Sequence, residues 1–229
     1  MEEIKEHSYL LVTGGAGGIG AALCRRLPAL GFIPIVCYYR SVDDAIRLAT
    51  ECGGHAIFID MCDAESIETA IEEIGTTISI GTLAGVVIGA SPPPELLPFG
   101  SLDSEHMLNQ FIVNVIGPQI LLTGLIKKHF RKVRSGIVLG ILTQAIGDDA
   151  TPPATGMGAY VVAKTALKSL LSVCAVEYPW LKVRTVSPGF TRTKMLDTFD
   201  PRYVEMIEKR STISSPDDVA KMIIEQILT

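Results

Sequence analysis

The chain has no surplus of positive charge: 20 Lys and Arg stand against 25 Asp and Glu in 229 residues, a formal net charge of −5. That balance argues against a nucleic-acid-binding surface, which needs clustered basic side chains. Cysteine is sparse and odd in number, at Cys24, Cys37, Cys52, Cys62 and Cys174. No pair has Cys-x2-Cys spacing and no His lies at ligand spacing from two of them, so a metal site is not expected. Set among apolar neighbours, the five read as small core residues of a reducing compartment. No run approaches the roughly 18 consecutive apolar residues that cross a bilayer. The start, Met1-Glu2-Glu3-Ile4-Lys5-Glu6, is acidic and lacks the apolar core of a signal peptide. A cytoplasmic protein without membrane attachment is the expectation. Internal repeats, low-complexity blocks and linkers are also lacking.

What is there is apolar and regular. Hydrophobic residues make up 48% of the chain, enough for a sizeable core without disulfide or metal staples. Short β-rich bursts alternate with helix-length segments. Tyr9–Val12, Phe32–Tyr39, His55–Asp60, Leu83–Ile88, Gly136–Ile141 and Leu181–Val186 read as strands. Helices are expected over Gly20–Leu30, Ser41–Cys52 (opened by a capping Ser41), Glu65–Ile74, Ser104–Phe130, Met157–Tyr178 and Pro216–Leu228. Strands alternating with helices imply right-handed parallel crossovers. The expected fold is α/β, a doubly wound parallel sheet in one domain spanning 1–229.

Between the first strand and the first helix stands Thr13-Gly14-Gly15-Ala16-Gly17-Gly18-Ile19-Gly20. Glycines in that position let backbone N–H groups approach a pyrophosphate while the helix dipole favours its charge. The spacing is Thr-Gly-x3-Gly-x-Gly, not the tighter Gly-x-Gly-x2-Gly. The second strand ends Tyr39-Arg40-Ser41, with no acid to accept from ribose hydroxyls. A guanidinium plus a hydroxyl suits a ribose 2′-phosphate, favouring NADP(H) over NAD(H); the alternative is a merely solvated Arg40, and Gly17 supplies no extra basic residue.

Tyr160 and Lys164 lie four apart in a predicted helix and so share one face. An ammonium beside a phenol stabilises the phenolate, bringing a group of ordinary pKa about 10 toward proton transfer with a carbonyl or alcohol oxygen. Thr13-Gly14-x3-Gly18-x-Gly20 with Tyr160-x3-Lys164 resembles the short-chain dehydrogenase/reductase family over nearly the whole chain, most nearly bacterial 3-oxoacyl-carrier-protein reductases. The resemblance implies a Rossmann-like fold, with Gly15, Ala16 and Ile19 completing the phosphate loop. It implies adenine contacts at Asp60 and Met61, and a relay-water residue at Asn114. Pro188, Gly189, Thr191 and Thr193 then fall beside the nicotinamide.

Three departures from the family pattern stand out. Ile88-Gly89-Ala90-Ser91 replaces Asn-Asn-Ala-Gly, with Ala90 keeping the small residue where the cofactor must approach. The expected serine of the fifth strand becomes Thr143, or, one register on, Leu142. The usual seventh strand has no counterpart before Thr229, so six strands and a homodimer or atypical oligomer are expected. The segment from Thr143 to Tyr160 is long and reads as an entrance loop or as surface slack, and Met195–Ile213 as a substrate lid or a helix packed on the core. The leading expectation is an NADP-dependent reductase of ketoreductase type, acting on a small carbonyl or secondary alcohol with an apolar or carrier-linked portion. Tyr160 is then the proton donor or acceptor, with Lys164, Thr143 and Asn114 assisting. The alternatives are a cofactor-binding partner or regulatory subunit with little activity, and an isomerase or dehydratase on the same scaffold.

Overall fold

The computed structural model describes residues 7–78 and 81–229; the acidic start Met1–Glu6 lies outside them. Six strands form one parallel sheet: β1 (His7–Val12), β2 (Phe32–Tyr38), β3 (His55–Phe58), β4 (Gly81–Ile88), β5 (Ile137–Ile141) and β6 (Lys182–Val186). Their order across the sheet is β3-β2-β1-β4-β5-β6. Strand β3 is shorter than expected, ending at Phe58, so Asp60 stands beyond it on a turn.

Helices cover both faces. On one lie α1 (Gly18–Arg26), α2 (Val42–Cys52) and, at the other end of the chain, α9 (Pro216–Leu228). The other carries α3 (Ala64–Thr77), α7 (Gly158–Glu177) and a long helix that includes α4 (Ser104–Phe111), α5 (Gly117–Leu125) and α6 (Arg131–Val133). Strand β1 shows why both faces must be covered. Tyr9 and Leu11 enter the core under the α3 side, while Leu10 and Val12 enter the core under α1 and α9, and all four are buried. Side chains alternate faces along a strand, so a run with no polar member demands two apolar layers. Each fully buried aliphatic contributes roughly 1.5–3 kcal/mol relative to exposure.

The long helix is interrupted by two π-helical turns, Ile112–Ile116 and Ile126–Phe130. It and α7 each hold an 18-residue window apolar enough in mean hydropathy to cross a membrane, though each is broken by polar residues. The sheet accounts for part of this: Leu167 and Leu171 of α7 are buried against it. The outer face of α7 does not share that explanation, since Val176 is 82% exposed.

Cysteine placement differs in part from expectation. Cys24, Cys37 and Cys174 are buried, but Cys52 is only half-buried, as the last residue of α2, and Cys62 is exposed, on the turn before α3. Burial pushes the Cys24 thiol up to about 12.

Candidate functional site

In this strand order the connections leave β1 in one direction and β4 in the other, which opens a crevice at the carboxyl ends of those two strands. The glycine loop lines it. Gly14 adopts φ +67°, a conformation in which a side chain is strained, and a Cβ there would also stand 3.1 Å from the Ala90 backbone nitrogen. The small residue at Ala90 therefore answers the glycine across the crevice. A Cβ on Gly20 would lie 2.3 Å from the Gly14 carbonyl oxygen, so loop and helix meet backbone to backbone. Helix α1 begins at Gly18 with no side-chain cap, leaving its first N–H groups for a ligand oxygen.

Thr13 does not face that ligand. It is fully buried; its hydroxyl donates to Val87 O and accepts from Gly89 N at 2.9 Å and Ala90 N at 3.1 Å. Its work is to brace β1 against the end of β4, where the sequence lacks the family's asparagine pair. The Met61 side chain is likewise in the core, under α5, and leaves only backbone for an adenine.

At the tip of β2, Arg40 lies over the Tyr39 ring, 5.2 Å from its centroid. Ser41 occupies the N-cap position of α2, but its hydroxyl makes no capping bond, contrary to expectation. Its ψ of 61° is outside the extended range that aims a capping side chain at the helix, which leaves the hydroxyl free. The Asp60 carboxylate accepts from Cys62 N at 2.8 Å.

A second set of residues meets in a cleft of about 390 Å³. Tyr160, Lys164 and Thr143 line it, as do Ile19 of the glycine loop and Pro188, Gly189, Thr191 and Thr193 of the segment after β6. The loops join directly, since a Cβ on Gly18 would strike the Thr193 side chain at 2.5 Å. Thr143 lines the cleft with Tyr160, and its hydroxyl accepts from Ala145 N at 3.1 Å. Leu142 lines the cleft as well, with its side chain buried in the core. The long segment before Tyr160 is a wall of the cleft, through Thr151, Pro152 and Ala154. Residues 195–213 include helix α8 (Pro201–Arg210). Leu196, Phe199 and Tyr203 pack with Met157 as a separate apolar cluster, and Met195, Leu196 and Phe199 line the cleft.

The electrostatics differ from the simple tyrosine–lysine picture. Lys164 is 2% exposed, donates to Ile141 O at 3.0 Å and lies 5.7 Å from the Tyr160 ring centroid. Burial pulls its ammonium down to about 7. Burial also pushes the Tyr160 phenol above its ordinary value, while the Thr143 hydrogen bond pulls the other way. The expected lowering of Tyr160 by Lys164 is thus not seen. Desolvation acts on both groups and weakens the charge that was to help.

Asn114 is fully buried in the first π-turn and does not belong to the cleft lining. Its Nδ2 is bonded to residue 110, and its Oδ1 has no protein partner. Pro118, four residues on, has no N–H to give the Asn114 carbonyl. Gln110 and Pro118 were not singled out from sequence. The legible signal was a polar residue one turn before Asn114, and a proline one turn after it, on a helix otherwise apolar on its inner face. A polar hollow of about 500 Å³ along Arg192 and residues 208–213 contains none of the candidate residues.

Comparison with known proteins agrees with this fold. The chain is 28% identical over 228 residues to Protein FixR of Bradyrhizobium diazoefficiens, covering 95% of this chain and 79% of FixR. It is 23% identical over 233 residues to a benzil reductase ((S)-benzoin forming) of Bacillus cereus, covering 94% and 92%. The structure superposes on a 3-ketoacyl-(acyl-carrier-protein) reductase from Brucella melitensis complexed with NADH, with a TM-score of 0.83, 22% identity and coverage of 96% and 90%. The short chain dehydrogenase profile matches residues 8–203, and the chain belongs to that family of nicotinamide-dependent oxidoreductases.

Proposed function

We propose that this protein is an NADP(H)-dependent reductase of neutral carbonyl compounds, or the dehydrogenase of the corresponding secondary alcohols. The observation that carries the reading is the meeting of Tyr160, Thr143 and Lys164 in one cleft with the glycine loop and the segment after β6. The dinucleotide's phosphates fit the glycine cradle, where side chains are sterically excluded, and the uncapped start of α1. When bound, the nicotinamide supplies the hydride that adds to the carbonyl carbon. The chain's own residues handle the oxygen. Tyr160 gives it a proton, and Thr143, whose hydroxyl already accepts from Ala145, donates toward the same place. Lys164 has two N–H donors beyond the one given to Ile141 O, for the nicotinamide ribose and for proton supply. Asn114, buried in the first π-turn, is the residue proposed to hold a relay water.

Apart from Lys164, the cleft lining carries no charged side chain among the described residues, and Pro94, Met157, Phe190 and Phe199 make much of it apolar. Such a lining favours an uncharged, partly apolar substrate over a carboxylate or phosphate. The benzil reductase relative supports ketones of that kind. The test is NADPH oxidation by the wild-type protein with a panel of neutral ketones and diketones, benzil included. Cofactor binding without turnover across the panel would favour the regulatory alternative.

Arg40 and Ser41 are the proposed holders of the 2′-phosphate. Arg40→Asp is expected to weaken NADPH binding about tenfold while strengthening NADH binding, because a carboxylate repels the phosphate and accepts from ribose hydroxyls. Fluorescence titration with both cofactors checks this, and parallel losses for the two would count against it.

A homodimer through the long helices is also proposed. Val162, Val173 and Val176 share the outer face of α7, and Leu108 and Ile116 of the neighbouring helix are exposed too. Val173→Lys is expected to shift the protein from dimer to monomer in sedimentation velocity, whereas a wild-type monomer at micromolar concentration would refute the dimer.

A further inference from the structure

The segment after β6 packs the Thr193 side chain against Gly18, at the start of α1. The next residue, Lys194, carries the contact onward: its Nζ lies 3.9 Å from Asp44 Oδ2, in the first turn of α2. Two consecutive residues thus reach the starts of both helices that follow β1 and β2. The dinucleotide crevice opens at the carboxyl ends of these strands. Lys194 therefore arrives at its adenosine end from the β6 side of the sheet.

Asp44 marks where on α2 the ammonium stands. It lies three residues after Ser41, one turn into the helix, beside a hydroxyl that makes no capping bond. The ammonium is not committed to Asp44. A separation of 3.9 Å is too long for a hydrogen bond, and the Lys194 side chain is 93% exposed. The other oxygen of Asp44 already accepts from Arg47 Nη2 at 2.6 Å. Lys194 has no other ion-pair partner among the described residues, so its three N–H donors are available.

The charges near the tip of β2 show what a further cation adds. Asp43 and Asp44 stand against Arg40 and Arg47, a balance that leaves nothing over for a phosphate carrying nearly two negative charges. The glycine loop contributes no basic side chain, and Arg25 and Arg26, in the last turn of α1, are engaged by Glu51 and Asp217. Lys194 supplies the surplus from a segment distant in sequence.

We propose that Lys194 is a cofactor-binding residue: its ammonium moves from Asp44 onto the 2′-phosphate of NADP(H), tying the segment after β6 to the adenosine end of the dinucleotide. The inference rests on the NADP(H) reading above and adds to it a cation from outside the β2 tip.

Calorimetric titration of the full-length protein with NADPH and with NADH tests this without any turnover. Lys194→Gln is expected to weaken NADPH binding about fivefold, the upper range of one exposed ion pair, and to leave NADH binding unchanged. Asp44→Asn removes an acid beside the phosphate and is expected to tighten NADPH binding about threefold. The double variant separates phosphate binding from simple neutralisation. If Lys194 meets the phosphate, Lys194→Gln costs about fivefold in the Asp44→Asn background as well. If it serves only as the counter-ion of Asp44, that loss disappears. An unchanged NADPH affinity in Lys194→Gln, a loss that vanishes with Asp44→Asn, or equal losses for the two cofactors would each overturn the inference, the last by assigning the ammonium to the pyrophosphate. None of these touches Arg40, whose own variant is read separately. A wild type that binds NADPH no better than NADH removes the 2′-phosphate site as a whole, and the roles of Arg40 and Lys194 fall together.

Discussion

Tyr160→Phe is expected to cut ketone reduction on the order of 10³-fold while NADPH affinity stays within about twofold. The substitution removes one hydroxyl from the cleft and keeps the ring, whose flank packs near Met157 and Phe199. Thr143 is a far weaker acid, and the N–H groups of Lys164 not held by Ile141 O are those proposed for the nicotinamide ribose and for proton supply to Tyr160. Because burial holds the phenol above its ordinary pKa, Tyr160 is neutral at neutral pH and already carries the proton that reduction needs. Ionisation of Tyr160 should therefore not limit reduction at neutral pH, and a decline as pH rises through about 7 would report loss of the Lys164 proton. Alcohol oxidation, which needs the phenolate, should rise with pH until the phenol ionises. Steady-state kinetics in both directions, alongside cofactor titration, check these points. Reduction by Tyr160→Phe at near wild-type rates would remove the proposed proton donor, and with it the mechanism.

Gly20→Ala is expected to weaken NADPH binding at least about 100-fold, or about 3 kcal/mol, and to lower the melting temperature as well. The new Cβ would stand 2.3 Å from Gly14 O and 2.8 Å from the Gly15 Cα. Those are backbone atoms of the phosphate loop, so relief requires the loop and α1 to separate. Overpacking of this sort costs about 1–3 kcal/mol of stability, and the displaced loop no longer offers its N–H groups in register. Neighbouring glycines set the scale. At Gly18 the obstacle is the Thr193 side chain, which can rotate, and at Gly17 a Cβ meets only Gly14 O at 3.1 Å. The expected order of loss is Gly20→Ala, then Gly18→Ala, then Gly17→Ala. Fluorescence titration and thermal melts of the three variants measure it. Wild-type affinity in Gly20→Ala would show that the cofactor does not use this loop.

Much of the fold was legible because its signals are short-ranged. Apolar runs such as Leu10-Leu11-Val12 announce a strand buried on both faces, and a glycine cluster between strand and helix announces a phosphate loop, since each pattern is set by the local backbone period. Tyr160 and Lys164 were legible for the same reason: four residues apart on a helix is a statement about one turn. Boundaries were less so, as at β3, where Ile59 continues the apolar run and donates to Tyr38 O at 2.8 Å although the strand's residue pairs end at Phe58.

By itself the sequence determined the alternation of strands and helices, the place of the glycine loop and the shared face of Tyr160 and Lys164. Only tertiary structure decided that Thr143 lies in one cleft with Tyr160, that Thr13 braces the sheet, and that Ser41 leaves its helix uncapped. The same holds for the direction of the Tyr160 and Lys164 shifts and for the reach of Lys194 to Asp44. The division has one physical cause. Periodicity and steric freedom are properties of a few consecutive residues, whereas desolvation and hydrogen-bond satisfaction depend on which distant segments close over a group.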